Sequence, residues 1–326
     1  MKRTLFAVLG AWIGVWEPAG ATVVLNNGLA PPNPANVITA DPGDDVFVQA
    51  VGCDATVAHP CASPGAQTTV LWNTGGTDPI HVLQDSRLIF GPGADRTALA
   101  CAHENAEVVV DGAVNTRIVS AGLFGSFCDD VPSDFHSGTI RVESGTADLD
   151  IDDGNVLIRG GTVTLDLTAF PGEGGATAVI EGGDVRLYAA LSSGLVQIYG
   201  GTLNQGQAGM TLDGMDVEIR GGNLAAPLLV VPGGAIAGAW VRIYGVDFEI
   251  DGAPAAFGPV AVSSGHLTGT LQSGETLDQD FQVDAFSLLE LVEASPPKVP
   301  ALPGYAFAVL ALALVGAGAS WTRSRA

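Results

Sequence analysis

The run Val156-Leu157-Ile158-Arg159-Gly160 decides the fold, because its pattern returns four times further along the chain. Ala178-Val179-Ile180-Glu181-Gly182, Val196-Gln197-Ile198-Tyr199-Gly200, Val217-Glu218-Ile219-Arg220-Gly221 and Val241-Arg242-Ile243-Tyr244-Gly245 share its form, apolar-x-apolar-x-Gly. Their isoleucines fall 22, 18, 21 and 24 residues apart. Fainter copies upstream pair Val70 with Trp72, Leu88 with Phe90, Val108 with Val110 and Ile140 with Val142. A period of this length is the mark of a stacked architecture.

Within each copy the period is two, so the apolar pair points one way and its neighbours the other. The inward column is Val, Ala and Ile, compact residues suited to a pleated, half-buried surface. Glycine then permits the bend into a second short strand, which repeats the alternation at Val163/Leu165, Val185/Leu187, Leu203, Leu224 and Phe248/Ile250. One such unit cannot bury its own apolar face, but stacked units bury a continuous core. About nine coils at a spacing of about 4.8 Å predict a rod roughly 40 Å long. A β-sandwich also uses short strands and Gly-rich turns, but the in-register Ile-x-Gly column argues against it.

Parallel crossovers in one sheet are overwhelmingly right-handed, and the uneven coil lengths lack the hexapeptide rhythm of left-handed forms. The expected fold is therefore all-β: a right-handed parallel β-helix (β-solenoid) with N- and C-terminal caps, followed by a C-terminal hydrophobic helix. Coils occupy 70–252, with 119–138 pushed out of one coil as a protruding loop. The step from Val142 to Ile158 is 16 residues, short for a coil, which leaves the register there open. Residues 22–69, Pro-rich and carrying a Cys pair, form the expected N-terminal cap, and 253–293 the C-terminal one. Exposed terminal strands would otherwise invite edge pairing.

The two ends carry addresses. Lys2 and Arg3, an apolar run from Leu5 to Trp16 and the small-x-small Ala19-Gly20-Ala21 read as a secretory signal over 1–21. About 12 apolar residues are too few to span a bilayer. At the far end, 294–299 is a Pro-rich linker, and 300–326 is an apolar segment of span length, ending in Arg323 and Arg325. Basic residues just past such a segment keep that end cytoplasmic, so the body would face outward.

Val299-Pro300-Ala301-Leu302-Pro303-Gly304, the apolar helix and the basic tail resemble the C-terminal sorting signals of the PEP-CTERM class in Gram-negative bacteria. The Pro-Glu-Pro signature is absent and the basic cluster is thin. The stretch 241–292 also resembles the cap of PEP-CTERM-type β-helix proteins, through Ile243, Gly245 and Phe248 and through Leu267, Thr268, Gly269 and Leu271. The resemblance implies an exported surface protein, handled by sorting machinery or held in the membrane by the C-terminal helix. It implies no biochemical activity.

The chain of 326 residues has 44 glycines, about twice the usual share, and a net charge of -22. No lysine occurs between Thr22 and Pro297, and the acidic excess excludes nucleic acid as a partner. The four cysteines, Cys53, Cys61, Cys101 and Cys128, lie in the exported body, where disulfides persist. Four cysteines allow three connectivities, and Cys53–Cys61 with Cys101–Cys128 closes local loops. A zinc site is the rival reading, but the cysteines lack paired C-x-x-C spacing.

The outward column before each glycine reads Arg159, Glu181, Tyr199, Arg220, Tyr244. It predicts cross-coil pairs Arg159–Glu181 and Glu218–Arg242, or a face able to hold an extracellular polysaccharide. Asp129, Asp130, Asp134 and His136 on the loop offer the carboxylates that glycoside hydrolysis needs, without a recognised motif. Asp148, Asp150 and Asp152 face solvent from one strand; Asp153 and Arg159 stand where an EF-hand needs Gly and Glu. Calcium bridging between coils is the one cofactor expectation. His59, His81, His103 and His266 share no ligand spacing. No catalytic, cofactor-binding or metal residue is assigned. The expected function is a structural or adhesive surface solenoid; the alternatives are a carbohydrate-active β-helix enzyme and a non-catalytic glycan-binding protein.

Overall fold

In the computed structural model, the described residues are 22–25, 45–48, 68–72, 80–82, 86–94, 99–103, 106–120, 138–151, 153–167, 175–189, 194–205, 210–212, 214–230 and 238–294. Their regular elements are all β-strands. The secretory segment 1–21, the loop core 121–137 and the C-terminal segment 300–326 lie outside them. So do Cys53, Cys61, Cys128, Asp129, Asp130, Asp134 and His136, and the sorting motif Val299, Pro300, Pro303, Gly304, Arg323 and Arg325. Among the described residues, no helix is long and apolar enough to cross a membrane.

The strands stack into two parallel ladders, as a β-solenoid requires. Ladder A contains Thr69–Trp72, Arg87–Phe90, Glu107–Asp111, Thr139–Ser144, Asn155–Ile158, Ala176–Ile180, Gly194–Ile198 and Asp216–Ile219, then Trp240–Ile250 and Leu288–Glu293. Ladder B contains Thr22–Leu25, Asp45–Val48, Ile80–Val82, Leu99–Ala102, Thr116–Ser120, Thr146–Ile151, Thr162–Leu167 and Asp184–Ala189. Later coils split their ladder B strand in two, Thr202–Leu203 with Met210–Leu212 and Asn223–Leu224 with Leu228–Val230.

Val142, Ile158, Ile180, Ile198, Ile219 and Ile243 stand directly opposite one another from coil to coil. All six are fully buried. Each such side chain is worth roughly 1.5–3 kcal/mol of burial, so this column and its ladder B counterpart hold the rod together. The short step is in register too: Val142 meets Ile158, because a tight turn at Gly154, with φ 109°, returns the chain without an insert. Upstream, Val110 pairs with Val142, with an irregularity in register between Val110 and Asp111.

The corner needs glycine for two different reasons. The residue directly after the repeat is confined by space: a Cβ on Gly160 would meet the Glu143 carbonyl oxygen at 2.6 Å. It is the next residue, Gly161, that takes the positive φ, 86°. The positive φ thus falls one residue after the glycine that ends the repeat.

In ladder B, Val163, Val185, Leu203 and Leu224 stack as expected. Where the later coils interrupt that strand, Asn204 bridges the gap. Its Oδ1 accepts the Leu187 N–H at 2.6 Å and its Nδ2 donates to the Leu187 carbonyl. The buried side chain thus replaces the backbone partner that the neighbouring strand would supply.

Phe248 and Ile250 do not continue this column. The strand Trp240–Ile250 runs on through the corner and pairs antiparallel with Ser264–Leu271. That strand forms a hairpin with Thr276–Val283, which lies parallel on Leu228–Val230. Phe248, Leu267, Leu271, Leu277 and Phe281 join the core. Leu288–Glu293 then returns to ladder A beside Trp240–Gly245.

Candidate functional site

The two ladders turn different chemistry outward. On ladder A, Glu107 bonds Arg87 at 2.9 Å and Arg141 at 2.9 Å. Arg141 also pairs with Glu143, Glu143 with Arg159 at 3.2 Å, and Arg159 with Glu181 at 3.0 Å. Further along, Glu218 accepts from Gln197 at 3.0 Å, Arg220 at 3.1 Å, Arg242 at 2.8 Å and the Tyr244 hydroxyl at 3.2 Å. Both predicted cross-coil pairs, Arg159–Glu181 and Glu218–Arg242, are present. Arg220 lies 3.7 Å from the centroid of Tyr244 and Arg242 3.9 Å from that of Trp240, so two aromatic faces are covered by cations.

Burial alone would raise the Glu218 carboxyl, but hydrogen bonds from Gln197 and Arg220 and attraction to Arg220 outweigh it and hold the group below its ordinary value. Glu143 is lowered in the same way: burial opposes, while the hydrogen bond and charge of Arg141 and the charge of Arg159 prevail.

Ladder B carries the open face. Its outward positions align Arg117, Asp148, Thr164 and Arg186 in one column, and Asp150, Asp166 and Tyr188 in the next. Together Arg117, Asp148, Asp150, Thr164, Asp166 and Tyr188 line a shallow pocket of about 250 Å³. Carboxylates accept, a guanidinium donates, and Tyr188, 45% exposed, offers a flat apolar ring. This combination suits a polyhydroxylated ligand.

Sequence reading placed Asp148 and Asp150 on the solvent face, where they are, but missed Thr164, Asp166 and Tyr188 as their neighbours. The ladder B register was the signal: once Leu149 is aligned with Leu165, Asp150 falls opposite Asp166. Asp153 plays a local part, accepting the Gly154 N–H at 2.7 Å within the turn. Asp152 lies outside the described residues.

The histidines are less dispersed than their spacing implies. His81 sits opposite Cys101 in ladder B, and His103 follows two residues later. His81 Nδ1 and His103 Nε2 are 3.3 Å apart, with the rings stacked at 5.6 Å. All three side chains are buried. Cys101 is disulfide-bonded, to a cysteine outside the described residues. His266 stands apart on the hairpin, between Asp278 at 2.9 Å and Asp280 at 2.8 Å. No family model matches the chain, and no match was found among curated proteins or solved structures.

Proposed function

We propose that the chain is an exported bacterial surface protein whose body serves as a structural or adhesive rod. In this reading 1–21 directs export. The apolar segment 300–326, with the PEP-CTERM-like motif around Pro300 and Pro303, meets the membrane or sorting machinery. Residues 22–69 and 253–293 cap the two ends. The solenoid winds right-handed, as the sterics of parallel crossovers favour. Cys53–Cys61 and Cys101–Cys128 lock the N-terminal half, as befits an oxidising compartment.

The observation that carries this reading is the ion-pair chain on ladder A, from Arg87 through Glu107, Arg141, Glu143 and Arg159 to Glu181. Its charges are answered by the neighbouring coil, so this exterior braces the stack. A second reading, non-catalytic glycan binding, is favoured by the ladder B pocket with its acids and Tyr188. Adhesion through that face would unite the two.

The full chain, expressed in a Gram-negative host, tests both. Protease added to intact cells should degrade the body. The purified protein should release no reducing ends from any polysaccharide, and any glycan it retains on an array should be lost in Tyr188→Ala. A protein confined to the cytoplasm would sink the surface role. Polysaccharide cleavage abolished by Asp150→Ala or Asp166→Ala would replace the rod with an enzyme.

A further inference from the structure

His81, Cys101 and His103 occupy positions that the strand period should leave on the outside. Ile80 and Val82, and Ala100 and Ala102, are the inward pairs of the same strands, fully buried in the core. Yet His81, Cys101 and His103 are only 1%, 0% and 2% exposed. Two imidazoles and a sulfur have therefore been withdrawn from water on the outer side of the sheet, and the two rings meet there through a hydrogen bond.

Their arrangement follows from the ladder. Cys101 and His103 are two residues apart and project to the same side, and the parallel register sets His81 directly opposite Cys101. One ligand atom from each lies within 4.8 Å of the other two. The two ring nitrogens are 3.3 Å apart. Tetrahedral zinc with Zn–N bonds of about 2.0–2.1 Å holds two nitrogens at about that separation. The sulfur, once released from its disulfide, would have to turn toward the two nitrogens to complete the third corner.

We propose that His81, Cys101 and His103 form a thiol-gated metal site for a borderline-to-soft cation, with zinc(II) as the fitting ion. Two nitrogens and one thiolate match its ligand preference, and a fourth position remains for water or another donor. The gate is covalent. In the disulfide the Cys101 sulfur is bonded to its partner sulfur and offers no thiolate. A dithiol opens the site by exchange: its two S–H groups become one disulfide, and Cys101 and its partner each gain a hydrogen. Zinc then displaces the Cys101 thiol proton to solvent. Reoxidation by a disulfide reverses both steps and expels the metal.

The decisive experiment uses the full chain with Cys53, Cys61 and Cys128 all changed to Ser, leaving Cys101 as its single cysteine. This protein should bind one equivalent of zinc in competition with a chromophoric chelator. Cobalt(II) in its place should give a thiolate-to-metal charge-transfer band. Adding Cys101→Ser should abolish the band, and His81→Gln or His103→Gln should weaken zinc by more than the about 10–100-fold seen for lost outer-sphere partners. Circular dichroism confirms that each variant keeps its strands.

Should the triple-Ser protein not fold, wild-type chain under a phosphine reductant replaces it, with oxidised wild type and reduced His81→Gln/His103→Gln as its two comparisons. Zinc bound only by the reduced wild type supports the site. Absence of binding, or binding indifferent to His81, His103 and Cys101, overturns it.

Discussion

Ladder A and ladder B belong to the same coils and share one core, but they treat charge differently. On ladder A, Glu107 is flanked by Arg87 and Arg141, and Glu218 by Arg220 and Arg242. On ladder B, Arg117 faces Asp148, but Asp150 stands beside Asp166. Opposite charges facing across strands stabilise a sheet and like charges weaken it. A stack selected only for rigidity would place a cation at one of those aspartates. The difference marks ladder A as the more continuously cross-paired of the two surfaces.

The largest effect should come from the core that both faces share. Ile198→Ala removes one member of the stacked isoleucine column and should cost about 2–5 kcal/mol, depending on how far the neighbouring coils collapse. Chemical denaturation followed by far-ultraviolet circular dichroism and by tryptophan fluorescence should show one transition moved to lower denaturant. Two separated transitions would mean that the ladders do not stand on a common core.

The contrast itself is tested by a pair of substitutions of opposite sign. Glu218→Ala strips four side chains of their acceptor at a largely buried position and should cost about 1.5–3 kcal/mol. Asp166→Asn removes one of two adjacent like charges and should leave stability unchanged or raise it by up to about 1 kcal/mol. Thermal melts at neutral pH and low salt decide the matter. A clear loss of stability in Asp166→Asn would show that ladder B is braced after all, by partners other than the opposing strand.

The extent to which the sequence foretold this follows from what repeats and what does not. The inward column of ladder A was legible because each coil supplies the same short signal, Val-x-Ile-x-Gly, and because burial tolerates few alternatives. The cross-coil ion pairs followed from it, since fixing Ile158 opposite Ile180 also fixes Arg159 beside Glu181. Ladder B was harder to read. Its strands are split at 202–212 and 223–230, and Asn204 replaces a backbone partner with a side-chain amide, which no periodicity announces. The pocket stayed hidden for the same reason: Asp150, Asp166 and Tyr188 are 16 and 22 residues apart and meet only through the register. The meeting of His81 with Cys101 was not foreseen because their strands are brief and carry no glycine corner. The hairpin defeated the extrapolation to Phe248 and Ile250, because alternation cannot tell a parallel neighbour from an antiparallel one.

The hairpin also offers the smallest and most local test, since it holds a third way of treating charge. His266 lies opposite Asp280 across the antiparallel pair, with Asp278 on its other ring nitrogen. The hydrogen bond that the imidazole donates to Asp280, with attraction to both carboxylates, outweighs the opposing effect of burial and raises the imidazole above its ordinary value. The folded hairpin therefore favours the protonated ring more strongly than the unfolded chain does. Its contribution is fully present below the unfolded imidazole value of about 6.5 and fades as pH rises through the higher folded value. Amide exchange of Ser264–Leu271 should accordingly quicken, after correction for intrinsic rates, as pH is raised through that window. His266→Gln should erase the dependence while leaving the ladder A amides untouched. Because the group is exposed, the effect should also shrink in high salt. A His266 resonance titrating at or below about 6.5 would show the two aspartates to be bystanders. The hairpin would then owe its stability to Leu267, Leu277 and Phe281, the side chains it buries against the last coils.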